Sequence, residues 1–213
     1  MELSAIDWLL LDIDDLDKNE AASNAVLAQI YGGAPVSDVE RLLRSQSLAA
    51  VEAGAWIASE LGHFARPLLP AILDVLHTGS ATARFFSIDA ILLCADDNGE
   101  AVAAAISRIN DEDAAVRWKA MRFLVRVGSV RLETSEQFLE EEVQEAVRWL
   151  LRLKTNQSED VLRRLHSERW VDRAFAAVAV VRLKIRTTQG SGVVPMVEDD
   201  EIRSFLSDEI QPR

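Results

Sequence analysis

Glycine, proline and cysteine are scarce in this chain, at nine, five and one among 213 residues. With so few breakers, long stretches contain nothing that would stop a helix. The lone cysteine, Cys94, excludes an internal disulfide, and its place in the apolar run 91–95 makes it a buried structural thiol. The three histidines, His63, His77 and His166, stand apart from one another and from any His-Glu or Cys-x-x-Cys pair. That pattern weighs against a metal centre. No uncharged apolar run approaches the roughly 18 residues of a membrane span. Acids also stand near the N-terminus where a secretory signal would carry a basic segment, so the expectation is a cytoplasmic protein with no membrane association. Phosphate-binding, dinucleotide and Gly-x-Ser-x-Gly fingerprints are missing as well, and neither a cofactor nor an enzymatic activity is expected.

What is present is a globular composition, 49% hydrophobic and 27% charged, with a net charge of −12. The charge is unevenly placed. Residues 1–100 hold 16 acids against 5 bases, residues 101–190 hold 13 against 16, and residues 191–213 hold 6 against 2. An acidic N-terminal half repels a nucleic-acid backbone and attracts a basic protein, so the expected partner is a protein.

Apolar residues recur three and four apart almost throughout, the period of helices, and no segment alternates convincingly as a strand. Ser37 with Glu40, Asp97 with Glu100 and Thr134 with Gln137 have capping-box spacing, while Gly32-Gly33, Gly62, Gly79 and Gly128 mark stops. One helix type returns. Ala83-Arg84 is followed by Ser87 and Ile91, Val116-Arg117 by Ala120 and Leu124, and Asp172-Arg173 by Ala176 and Val180. Val51-Glu52, followed by Ala55 and Ser59, is a weaker copy, and Gln144 or Arg148 marks another. Each such helix follows a shorter one, so helix pairs are the unit. A small residue in the repeated helix allows close approach to a neighbour.

The run from Asp113 through Val116-Arg117 and Ala120 to Leu124 resembles the second helix of a HEAT repeat. That resemblance implies an all-α fold, a short right-handed α-solenoid of stacked HEAT-like helix pairs. It would consist of N-terminal capping helices over 1–35, repeats over 36–186, and a linker with an acidic C-terminal helix or tail over 187–213. The His-Glu motifs of the metal-dependent hydroxylases built on such repeats are absent.

Solenoids present extended grooves to other proteins. The candidate contact residues fall in two sets. Asp12, Asp14, Asp15 and Asp17 form an acidic cluster; read as a calcium loop from Asp12 it places Asp17 at position six and Ser23 at position twelve, where glycine and glutamate are required. Lys119, Arg122 and Arg126, spaced along one helix face, with Arg148 and Arg152 on the next helix, form a basic stripe, and Trp118 and Trp149 beside it are either buried between helices or projecting anchors. The leading functional reading is a non-enzymatic protein-binding scaffold, of the immunity or antitoxin-like kind that neutralises a basic toxin domain. The alternative is a DNA-interacting HEAT-like protein resembling the alkylpurine DNA glycosylases, which would use the arginines and tryptophans of 117–173 with Asp172 as its acid. The acidic balance weighs against it.

Overall fold

The structure, a computed structural model, describes residues 4–11, 16–154, 157–185 and 193–210, and of residues 16, 17 and 195 the backbone alone. Asp12, Asp14 and Asp15, the side chain of Asp17, and the 187–192 linker therefore lie outside the described residues. Among the described residues there are thirteen α-helices and no strand, so the chain is all-α, as its apolar period predicts. No helix among them is long and apolar enough to cross a membrane. The chain divides into two compact units, Met1–Asp96 and Asp97–Arg213.

The first unit contains α1 (Ala5–Leu10), α2 (Leu16–Tyr31), α3 (Ser37–Leu43), α4 (Leu48–Glu60), α5 (Leu69–Thr78) and α6 (Ala81–Cys94). Serines start three of them. The hydroxyls of Ser4, Ser47 and Ser80 accept from the backbone N–H three residues on, satisfying donors that a helix start leaves open. Helix α4 lies along α6, with α3 against the former and α5 against the latter. Leu42, Ile57, Leu68, Ile72, Leu76, Ile88 and Ile91 are sealed between them, each worth about 1.5–3 kcal/mol of burial. The closest approach is at Gly54, where a Cβ would stand 2.9 Å from the Leu42 Cβ and 3.0 Å from the Leu43 nitrogen. The small-residue position of α4 is thus Gly54, one residue before the Ala55 expected from the repeat.

The second unit contains α7 (Gly99–Ser107), α8 (Ala114–Arg126), α9 (Ser129–Ser135), α10 (Glu141–Arg152), α11 (Ser158–Arg164), α12 (Trp170–Leu183) and α13 (Asp200–Ile210). Helix α12 is its centre. Seven consecutive residues, Ala174 to Val180, are buried, and α8, α10, α11 and α13 all touch it. A helix apolar on every side must be enclosed on every side. The acidic helix α13 docks by Ile202, Phe205 and Leu206, all fully buried.

Two expected helix starts are corrected and a third moves by one residue. Ser37 is inside α3 and makes no cap, Thr134 lies within α9 and donates to the Arg131 carbonyl, and α7 is capped by Asn98 rather than Asp97. Capping-box spacing arises by chance in a chain rich in serine and acids. The start is decided by which residue takes an extended backbone before the apolar stripe begins, as Asn98 does at ψ 95°.

Candidate protein-binding surfaces

The repeated arginines do one job. Arg84 donates from Nη1 to the Gly79 carbonyl at 2.8 Å, Arg117 to those of Asp111 and Glu112 at 2.7 and 2.9 Å, and Arg173 to those of Ser167 and Glu168 at 2.9 and 2.8 Å. Each is the fourth residue after its helix cap, at Ser80, Asp113 and Arg169. From that position a guanidinium reaches back and ties down the carbonyls of the loop before the helix. Arg203 repeats the device in α13, donating from Nη2 to the Val197 and Glu198 carbonyls at 2.7 and 3.0 Å. In α10 the equivalent is Gln144, whose amide reaches the Glu136 carbonyl at 2.7 Å, and Arg148 pairs with the Glu136 carboxylate at 2.9 Å. In α4 it is Val51, the fourth residue after Ser47; Glu52 instead accepts the Ser80 hydroxyl at 2.6 Å.

Part of the basic stripe is paired within its own unit. Arg122 pairs with Glu209 of α13 at 2.8 Å, and Arg117 binds Glu201 of the same helix through two parallel bonds of 3.0 and 2.7 Å. Arg173 meets Asp199 at 3.1 Å. The acids that meet Arg117 and Arg122 thus come from the chain's own C-terminal helix. Lys119, read as an exposed member of the stripe, is 6% exposed. This is a correction. Residues 116, 119, 120 and 123 fall on the buried side of α8, and Lys119 lies among them. Arg126 and Arg152 are exposed.

The tryptophans are likewise engaged. Arg122 stacks over Trp118 at 4.8 Å and Arg164 over Trp149 at 4.3 Å, while the Trp149 indole N–H donates to Asp160 at 2.9 Å. That bond, followed by the one from Arg163, holds the Asp160 carboxyl below its ordinary range. Trp170 donates to the Ile109 carbonyl at 2.8 Å and Trp8 to Asn19 at 3.1 Å. Asp172 accepts the Ser167 hydroxyl at 3.0 Å and pairs with Arg164 at 3.1 Å, so it is held by its neighbours. Arg182, half-buried with its charge disfavoured by desolvation, donates to the Leu124 and Val127 carbonyls at the end of α8. No three His, Cys, Asp or Glu side chains assemble as a metal-ligand set among the described residues.

The first unit is the more acidic of the two. Residues 1–96 hold 14 acids and 5 bases. Arg41 is paired with Asp7 and Asp38, Arg44 with Glu40 and Asp74, and Arg66 with Asp96. These three arginines are neutralised locally, and the surplus is negative. At one edge the side chains of Tyr31, His63 and Phe64 stand together in solvent, with Tyr31 and Phe64 edge-to-face at 6.1 Å. None of the three occupies a repeated position, so the spacing of the sequence does not announce this cluster.

No protein-family model matches the sequence, and no curated protein matches it either.

Proposed function

We propose that this chain is a non-enzymatic scaffold of HEAT-like helix pairs, a short right-handed solenoid, that binds a basic protein. Within that class we propose an immunity or antitoxin-like role, in which the acidic first unit occludes a toxin domain. The observation that carries the reading is the contrast between the units. In the second, Arg117, Arg122, Arg148, Arg164 and Arg173, the tryptophans and Asp172 are engaged in loop carbonyls, ion pairs and ring contacts; in the first, Arg41, Arg44 and Arg66 are paired off and carboxylates remain in excess. A surface with surplus charge of one sign steers a partner of the other.

The recurrent arginine-capped helix supports the repeat reading, since one device placed at equivalent positions is what stacked copies of a unit would share. Commitment of Asp172 to Arg164 and Ser167 favours protein binding over glycosylase-like base chemistry. The test is titration calorimetry against a purified basic nuclease-type toxin domain, paired with a duplex-DNA titration. Submicromolar, salt-sensitive binding to the protein supports the proposal. Measurable DNA affinity near physiological salt, without protein binding, overturns it.

A further inference from the structure

Three helix ends of the first unit converge on one edge. Tyr31 is the last residue of α2, Glu60 the last of α4, and Leu93 with Asp96 stand at the end of α6. They are tied together. The Tyr31 hydroxyl donates to the Glu60 carbonyl at 2.7 Å, and Arg66, on the turn that follows α4, pairs with Asp96. That turn opens at Gly62, whose φ of +57° swings His63 and Phe64 outward. The Phe64 ring lies 4.2 Å from that of His63 and meets Tyr31 nearly perpendicularly, at 79°.

These rings are fixed and yet uncovered. Tyr31 is 59% exposed and Phe64 50%. Solitary exposed apolar side chains are ordinary, but a cluster of them marks a contact site. The cluster is also pre-ordered, because the hydrogen bond holds the Tyr31 ring and ring contacts hold its neighbours. Binding would therefore cost these side chains little rotamer freedom.

The field at this edge is negative. The C-terminal ends of helices carry a partial negative charge of about half a unit. Among the described residues the Glu60 carboxylate meets no lysine or arginine, and the unit as a whole is strongly acidic. Aromatic faces attract cations further.

We propose that this edge is the docking surface for an arginine- or lysine-bearing segment of another protein, with Tyr31 and Phe64 as anchors and Glu60 as rim charge. The inference rests on the protein-binding reading and assigns its contact. Arginine or lysine side chains lie over the Tyr31 and Phe64 rings, and the segment's apolar residues pack against the ring edges.

The probe is a fluorescein-labelled eight-residue peptide alternating arginine and leucine, titrated into the full chain and mapped by amide shifts, with a glutamate–leucine peptide as control. The basic peptide shifts amides of 30–33, 60–66 and 93–96, and the control does not. Tyr31→Ser with Phe64→Ser weakens binding about tenfold or more, as hot-spot losses do. Glu60→Gln weakens it less, by an amount that high salt removes. Both variants retain the helical spectrum, since the replaced groups face solvent. Shifts mapping elsewhere overturn the assignment but leave an acid-driven protein binder standing; no binding of either peptide overturns the assignment and counts against that reading too. Concentration-dependent self-association of the wild-type chain, abolished by the double serine variant, would give the edge to a second copy and also overturn it.

Discussion

Arg117 of α8 grips Glu201 of α13 through two parallel bonds while its Nη1 holds the carbonyls of Asp111 and Glu112. The two partners are not equivalent. Glu201→Ala removes a charge pair about one-fifth to one-quarter exposed and is expected to cost about 1 kcal/mol. Arg117→Ala also strands two loop carbonyls and is expected to cost about 2–3 kcal/mol. Urea denaturation of both variants checks the order; an equal or reversed loss would mean that the loop carbonyls find water cheaply.

Gly54→Ala sets two effects against each other. Alanine is favoured in a helix interior by about 1 kcal/mol, but its Cβ would stand 2.9 Å from that of Leu42 and 3.0 Å from the Leu43 nitrogen. Overpacking typically costs about 1–3 kcal/mol, so net destabilisation is expected. Gly128→Ala is the control: its φ of −70° suits alanine and no atom lies near the added methyl. A thermal scan should show the first lowering the midpoint and the second leaving it level or slightly raised.

Ala120 is fully buried on α8, as its place three after Arg117 predicts. Ala120→Trp is expected to cost about 1–3 kcal/mol or more. An unchanged melting temperature would mean that α8 can shift to admit an indole.

The all-α class was legible because it is written in local spacing: apolar residues three and four apart, with few breakers. The repeated arginine was legible at 84, 117 and 173 for the same reason. Its fourth copy, Ile202-Arg203 followed by Leu206 and Ile210, departs from the pattern because leucine fills the small-residue position, so spacing alone leaves the acidic C-terminal segment open between a helix and a tail. The fate of the basic stripe was not legible at all. Arg122 with Glu209 and Arg117 with Glu201 are pairs separated by more than eighty positions, and nothing near either residue announces its partner. The ring cluster of Tyr31 and Phe64 escaped for a similar reason, since a helix end and a following turn meet only in three dimensions.

Asp160 offers a pH test. The Trp149 indole bond and then Arg163 hold its carboxyl below the ordinary value. A depressed carboxyl contributes stability that is present above the unfolded value, near about 3.9, and is lost as pH falls through the lower folded value. The α10–α11 contact should therefore be indifferent to pH between about 5 and 7 and weaken only below about 4. The Trp149 indole proton resonance should follow that transition, and Asp160→Asn should remove it. A transition centred above the ordinary aspartate range would contradict this sign.

Because Arg122 and Arg148 are paired within the chain, replacing them with alanine should lower stability before it alters any partner. The expected loss is about 1 kcal/mol or less for each, given their partial exposure. Chemical denaturation checks this, and a stability gain would show that desolvation outweighs the pairs.

Association kinetics with a basic partner protein test the account's central claim most directly. Asp12, Asp14, Asp15 and Asp17 changed together to asparagine and serine should slow association at low salt, leave dissociation nearly unchanged, and preserve the helical spectrum. At 1 M salt, where screening shortens to about 3 Å, variant and wild type should converge. If association were unaffected by the acidic set, and alanine at Lys119, Arg122, Arg126, Arg148 and Arg152 instead raised the dissociation rate at every salt concentration, the contact would lie on the basic stripe and the acid-steered scaffold would be contradicted.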